Sequence, residues 1–418
     1  MPASATIGPA PTLVKPQKRL IPDVNVVTAI GWNEVETPVA APGTRVQAFA
    51  RELDHPRWLY VLPNGDVLVA ETNAPPRPDD AKGIKGWFFA HYQRKAGGDS
   101  PSANRLVLLR DQDGDGVADT KSVFLTGLNS PFGMALVGDE LYIANTDAIV
   151  RVPYTPGTTA ITARLATVLD LPGGALNHHW TKNILASADG QRLYVAIGSN
   201  SNAGENGLAA ERNRAELWEL DLNTRQHRTF ATGLRNPVGM AWEPETGALW
   251  VAVNERDELG PDLVPDYMTA VVEGGFYGWP FSYYGAHVDT RVAPPRPDLV
   301  AKALVPDYAL GAHTASLGLA SAAGSELGAA FAHGMFVGQH GSWNRTPRSG
   351  YKVVFVPFTK GTPSGAPLEV LGGFVRENGE AMGRPVGVAV ARGGGLLVAD
   401  DIGNTVWLVS ASSRQTQR

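Results

Sequence analysis

The sequence predicts an all-β chain, a six-bladed β-propeller with loop insertions, and three observations predict it. A short unit recurs six times: a polar entrance, an apolar strand, a tight turn, and a second apolar strand ending in polar or small residues. The copies start roughly 50–75 residues apart, which is the spacing of propeller blades that carry insertions. The 418 residues include 47 glycines and 31 prolines, which suits many short strands divided by turns rather than long helices.

In chain order, residues 1–30 read as an extended N-terminal tail and 31–418 as one propeller domain. The first unit is "HPRWLYVLPNGDVLVAETN" from His55, whose Asn-Gly pair is a hairpin-turn signal between two apolar runs. "SPFGMALVGDELYIANT" from Ser130 is the second. The third, "HHWTKNILASADGQRLYVAIGSN" from His178, lacks the proline of the other entrances and carries an Asp-Gly turn. "NPVGMAWEPETGALWVAVNE" from Asn236 is the fourth. "HTASLGLASAAGSELGAAFAHGMFVGQH" from His313 is a degenerate, lengthened fifth, and "RPVGVAVARGGGLLVADD" from Arg384 completes the ring. Two stretches fall outside the repeat, at about 74–104, with a short amphipathic helix expected over Lys82–Lys95, and at about 280–312, rich in aromatics and prolines. Long insertions on a rigid scaffold are common places for binding surfaces.

Composition removes several function classes. The 36 basic and 41 acidic side chains give a net charge of −5, and no long basic run offers a footprint for nucleic acid. No apolar run is long enough to span a bilayer. With no cysteine, disulfides, thiolate metal sites, attached c-type haem and cysteine nucleophiles are all excluded. No Gly-rich phosphate loop follows a strand, which argues against nicotinamide and ATP. The opening "MPASATIGPAPTLVKPQKRLIPD" has no signal-peptide pattern; it reads as the start of a mature periplasmic or secreted protein whose signal has been removed, or else of an internal one.

In a propeller the first strand of every blade lines the central channel, and all first strands enter it from one face. Residues at those entrances converge although they are far apart in sequence, which places His178 and His179 at the channel mouth. Arg57, Arg235 and Arg384 stand at the entrances of units one, four and six, and Arg345 follows the strand pair of unit five. Arginines aimed at one cavity are costly to desolvate without partners, so together they imply an anionic ligand held through forked hydrogen bonds. Separately, "DQDGDGVAD" sets Asp111, Asp113, Asp115 and Asp119 on a glycine-containing turn. That arrangement suits a hard cation such as calcium in a structural role, without the terminal Glu of a full EF-hand.

The ordered set "HHWTKNILASADGQRLYVAIGS", "GLRNPVGMAW", "NERDELGPDLVPDY", "GGFYGWP", "GQHGSWNR" and "GRPVGVAV" resembles the soluble pyrroloquinoline quinone (PQQ)-dependent aldose sugar dehydrogenases, in particular their L-sorbosone dehydrogenase-like branch. That family is a six-bladed propeller. The resemblance implies that His179 is the general base acting on the sugar's anomeric hydroxyl. It implies that Arg235 and Asn236 flank the reactive quinone carbonyl, and that Arg384 pairs with a cofactor carboxylate. Arg57 and Arg345 join that set by position alone. The resemblance also implies a second calcium on main-chain carbonyls of Asn254 to Glu258, with contributions among Arg256, Asp257 and Glu258. Glucose-oxidising members carry an aspartate just before the base, where this chain has His178, so a keto-aldose, an aldehyde hydrate or another sugar stays open as substrate. Electrons would pass to an external acceptor. The competing readings are a calcium-dependent lactonase, which sets acidic and amide ligands around one central ion, and a non-catalytic docking propeller.

Overall fold

The computed structural model describes residues 3–17, 24–76, 92, 94–98 and 100–412. Six antiparallel sheets follow one another along the chain, each beginning at one of the six repeated units. Blade 1 is Pro56–Val61, Val67–Glu71, Arg105–Arg110 and Thr120–Leu125; blade 2 runs from Met134–Val137 to Ala166–Asp170; blade 3 from Lys182–Ala186 to His227–Thr232. Blades 4 and 5 start at Pro237–Trp242 and Ser316–Ser321. Blade 6 takes three strands from the C-terminus and its outermost, Thr44–Ala50, from near the N-terminus, in a ladder running from Val406 opposite Ala50 to Ala411 opposite Thr44. This pairing closes the ring non-covalently.

Glycines set how tightly the ring is drawn. A Cβ on Gly133 would lie 2.4 Å from the Ile184 nitrogen of blade 3, and one on Gly239 2.5 Å from the Leu319 nitrogen of blade 5. One on Gly318 would lie 2.2 Å from the Val386 oxygen of blade 6, and one on Gly387 2.7 Å from the Arg57 oxygen of blade 1. Neighbouring inner strands therefore touch backbone to backbone, which no larger residue allows. Inside this collar, Trp58, Phe132, Trp180, Val238, Leu317 and Val386, one from each blade, join a single buried cluster. Phe132 packs against Trp58 at 4.6 Å and Trp180 at 6.1 Å between ring centroids. The channel thus has an apolar floor, and its polar residues lie at the end where inner strands begin and second strands finish.

Two boundaries differ from the sequence reading. The tail is docked: Ile7–Gly8 extends blade 4 by pairing with Leu310 and Ala309, and Thr28–Ala29 pairs in parallel with Glu380–Ala381. The stretch taken as an insertion over 280–312 contains Tyr308–Ala312, the fourth strand of blade 4 itself, which pairs with Pro265–Ala270. Its aromatic, proline-rich lead-in hid a strand that has no turn signal of its own. The helix expected over Lys82–Lys95 falls mostly outside the described residues. Among the described residues no helix is long and apolar enough to cross a membrane.

Candidate functional site

His178 and His179 occupy a bend just before the inner strand of blade 3, and both are half-buried. The Nδ1 of His179 lies 2.8 Å from the Ser199 carbonyl oxygen and 2.9 Å from Ser199 Oγ. A carbonyl oxygen can only accept, so Nδ1 carries the hydrogen. Ser199 Oγ gives its own hydrogen to the Ser201 carbonyl at 2.7 Å, and meets Nδ1 as a second acceptor. The neutral ring is therefore the Nδ1–H tautomer, with its lone pair on Nε2. Ser199 is itself fixed, since its N–H donates to the Arg235 carbonyl at 2.7 Å. The group that orients His179 comes from the end of the second strand, not from the adjacent His178.

Gly198 explains how blades 3 and 4 meet here. A Cβ at that position would lie 2.4 Å from Asn236 Oδ1 and 2.5 Å from His179 Cβ, so the base candidate and Asn236 face each other across a bare backbone. Arg235 is buried, and its guanidinium is a tie-bar: Nε and Nη2 donate to the carbonyl and side-chain oxygens of Asn202 at 3.1 and 3.0 Å, and Nη1 to the Glu255 carbonyl at 2.8 Å and Asn254 at 3.2–3.3 Å. All these acceptors are neutral, so its positive charge stays uncancelled at first contact.

Across the mouth, blades 1, 5 and 6 supply a second cluster. Asp401, 1% exposed, accepts from Arg57 Nη1 at 2.9 Å and His340 Nε2 at 2.8 Å, with His55 Nε2 at 3.6 Å. Burial opposes its ionisation, but His340, His55 and Arg57 hold it well below the usual carboxylate range. Burial and Arg384 push His340 down to about 3 against the pull of Asp401, so this imidazole is neutral. Arg57 also lies over the Trp180 ring at 5.6 Å, and Arg384 donates to the carbonyls of His340 and Gly341 at 2.9 and 3.1 Å. Arg345 is directed elsewhere, pairing with Asp262 at 2.9 Å and the Pro261 carbonyl.

Among the described residues, buried side-chain atoms around the mouth without a hydrogen-bond partner include His55 Nε2, Arg57 Nε, Thr72 Oγ1, Ser130 Oγ, Asn200 Oδ1, Asn236 Oδ1, Asn344 Oδ1 and Asp401 Oδ1. They come from all six blades. Each such atom costs about 1–3 kcal/mol, so a ring of them marks a place built for a polar occupant. A separate cavity of about 710 Å³, walled by Leu208, Phe276, Trp279, Phe281 and Leu304, contains none of these residues. Its aromatic lining belongs to the packing of blade 4 against blade 3, where Tyr277 and Trp279 are buried.

The expected metal residues separate into two cases. Asp111, Asp113 and Asp115 each offer an oxygen within 4.8 Å of the others, on the turn between the two outer strands of blade 1. Asp119 is directed to the Gln112 N–H at 2.6 Å. In the stretch Asn254 to Glu258, Arg256 is wholly buried, bonded to Glu255 at 2.9 Å, Asp289 at 3.2 Å and the carbonyls of Pro280 and Ser282. Asp257 binds His313 at 3.0 Å and Asn344 at 2.9 Å, and its carbonyl accepts from Arg291 at 3.0 Å. Glu258 points toward Arg291 at 3.8 Å. The carbonyls of Asn254 and Glu255 face Arg235, so much of this donor set is turned to guanidinium groups, while the buried Glu255 Oε1 has no hydrogen-bond partner among the described residues.

Comparison with known proteins bears on the identity of this site. The family model described as TrAA12-like matches residues 100–265 and 300–412, well over half of the chain. The chain belongs to the TrAA12-like family. A relative of this TrAA12-like protein, an uncharacterized protein of Borreliella burgdorferi, is 26% identical over 331 residues, covering 72% of this chain and 84% of its own. Among solved structures, the family AA12 carbohydrate-active enzyme of Trichoderma reesei superposes with a TM-score of 0.71 at 18% identity, over 95% of this chain and 100% of that one. The PQQ domain of Coprinopsis cinerea pyranose dehydrogenase gives 0.70 at 19%, over 91% and 98%. The PQQ-bound aldose sugar dehydrogenase of Streptomyces coelicolor gives 0.57 at 16%, over 90% and 99%. These solved structures share the fold that the resemblance read from the sequence implies.

Sequence reasoning missed Ser199, His340 and Asp401. Their signal was present: each stands within the last residues of a unit, in "GSN", "GQH" and "ADD", at the end of a second strand. Antiparallel pairing brings those ends back to the channel mouth beside the entrances.

Proposed function

We propose that this TrAA12-like protein is a PQQ-dependent oxidoreductase that oxidises the C1 hydroxyl or aldehyde hydrate of an aldose-type or sorbosone-like sugar and passes the electrons to an external acceptor. The observation that carries the reading is the ring of unpartnered buried polar atoms from six blades, set beside an oriented imidazole and a concentration of guanidinium groups. Its donors, Arg57 Nε and the hydroxyls of Thr72 and Ser130, fit an anion whose edge carries carboxylates and carbonyls, and its acceptors, the asparagine Oδ1 atoms and Asp401 Oδ1, fit hydroxyl or N–H hydrogens of the occupants. Arg57, through its unpartnered Nε, and Arg384 would hold carboxylates of the cofactor; Asn236 and the positive charge of Arg235 would face its reactive edge. When bound, PQQ supplies a carbonyl that accepts hydride.

The chain's own work is proton removal and orientation. Ser199 holds Nδ1–H, so the His179 Nε2 lone pair is the one offered to the substrate hydroxyl. Arg235 lies where positive potential favours charge developing on a carbonyl oxygen. The apolar floor of Trp58, Phe132 and Trp180 closes the channel beneath the site. We assign calcium to the Asp111, Asp113 and Asp115 turn, in a structural role far out on blade 1.

The test adds PQQ and Ca²⁺ to the apo-protein, then aldoses and an artificial dye. Dye reduction that requires the quinone is expected, and His179→Ala should abolish turnover while still binding quinone in an absorbance titration. Absence of dye reduction with every sugar or aldehyde tried, alongside lactone hydrolysis, would overturn the proposal.

A further inference from the structure

The inner strand of blade 3 opens with a residue that the fold alone does not require. Two positions after the floor residues Phe132, Val238, Leu317 and Val386, four of the other five blades place Met134, Met240, Leu319 and Val388, all buried and apolar, and blade 1 places the uncharged, partly buried Tyr60. Two positions after Trp180 stands Lys182, wholly buried. Its Nζ lies 3.2 Å from the His179 carbonyl, 3.2 Å from the Trp180 carbonyl and 3.4 Å from Asn177 Oδ1.

A second buried cation closes the same cage. Arg214 donates to Asn177 Oδ1 at 3.0 Å and to the carbonyls of Pro172 and Gly173, both at 3.0 Å. Thr146 Oγ1 donates to the Trp180 carbonyl at 2.9 Å and accepts from Asn177 Nδ2 at 2.7 Å. Among the described residues, neither cation forms an ion pair with a carboxylate. Burying an amine against carbonyls alone is costly where methionine or leucine would pack freely, so a reason specific to this blade is needed.

The carbonyls that Lys182 engages supply that reason. They belong to His179 and its neighbour, at a bend outside the strand ladder. We propose that Lys182 is a positioning residue for His179, its ε-amino group pinning the carbonyls of His179 and Trp180 and so fixing the bend that aims the imidazole. Burial first, and Arg214 second, hold the amine well below its ordinary pKa, with Asp147 acting the other way. Charged or neutral, the amine has at least two N–H groups for those two carbonyls. The inference rests on His179 being the base.

The test compares Lys182→Met, which keeps the apolar stem, with Lys182→Gln, which keeps a donor. NMR of ¹⁵N-histidine-labelled apo-protein reads the His179 ring nitrogens, assigned by their loss in His179→Ala. For Lys182→Met we expect quinone affinity within twofold of wild type, kcat lowered about 10- to 100-fold with KM little changed, and the fixed Nδ1–H signature replaced by averaging between tautomers. Lys182→Gln should recover part of kcat and of that signature. Wild-type kcat and an unaltered His179 spectrum in Lys182→Met would overturn the proposal. So would failure of both variants to fold, because Lys182 would then serve the sheet and not the base. If His179→Ala keeps its activity, the functional reading fails by itself, while the histidine spectrum still reports whether Lys182 fixes that ring.

Discussion

Replacing Asp401 with alanine removes the one anion at the centre of the blade 1, 5 and 6 cluster. Asp401 is 1% exposed and holds Arg57 at 2.9 Å and His340 at 2.8 Å. Without it, Arg57 becomes a buried cation facing Arg384 with no counter-charge, a loss of about 3–5 kcal/mol. At roughly 2 cal/mol/K of unfolding entropy per residue, that corresponds to a Tm lower by about 3–6 °C for a chain of this size. The same change leaves the mouth more positive, so a polyanionic quinone should bind the variant at least as tightly as wild type. Its stabilising increment should then recover much of the deficit. Thermal unfolding of both proteins, with and without saturating PQQ, checks both halves. A Tm within 1 °C of wild type, or a smaller quinone-induced increment in the variant, would refute the charge balance derived for the mouth.

Three further outcomes follow from the same geometry. Gly318→Ala places a Cβ 2.2 Å from the Val386 oxygen, so strands of blades 5 and 6 must part; a loss of about 3 kcal/mol or more is expected in urea unfolding, whereas Gly393→Ala, with open space around it and no left-handed backbone, should cost far less. His313 donates from Nδ1 to Asp257 at 3.0 Å and from Nε2 to the Gly260 carbonyl at 2.9 Å, an arrangement that requires the doubly protonated ring. Burial works against that state, but Asp257 and Gly260 raise its pKa above the ordinary value. Its contribution is therefore complete below about pH 6.5 and is lost as pH rises through the elevated folded value, and a Tm series from pH 5 to 9 should show that fall flattened in His313→Gln. His340, lowered to about 3, acts in the opposite sense: it supports the fold above the unfolded value and withdraws that support on acidification. Finally, Asp113→Asn with Asp115→Asn should remove any Ca²⁺-induced rise in Tm while leaving quinone affinity within twofold, since that turn lies on the outer strands of blade 1.

The six unit starts read from the sequence are the six blade entrances, because tight turns and apolar strands are local features that leave a periodic mark. The glycines of "PFGM", "PVGM" and "PVGV" were equally visible, yet their reason was not: they serve contact with Ile184, Leu319 and Arg57 of neighbouring blades, far away along the chain, which no short window contains. Arg256 shows the limit more sharply. Its place beside Asp257 and Glu258 suggested a metal loop, and only the return of Asp289 and the Pro280 and Ser282 carbonyls to its guanidinium shows a buried ion-pair core instead.

By itself the sequence determined the six blades and the polar face at which their inner strands begin, with His179, Arg57, Arg235 and Arg384 at those entrances, since strand order and direction follow from periodicity. Only the tertiary structure decided what each group faces. Ser199 rather than His178 orients the imidazole, Asp401 balances Arg57, and Lys182 lies under the bend. Hydrogen bonds discriminate over a few tenths of an ångström between side chains brought together by different strands, and that distance is set by packing, which sequence spacing does not encode.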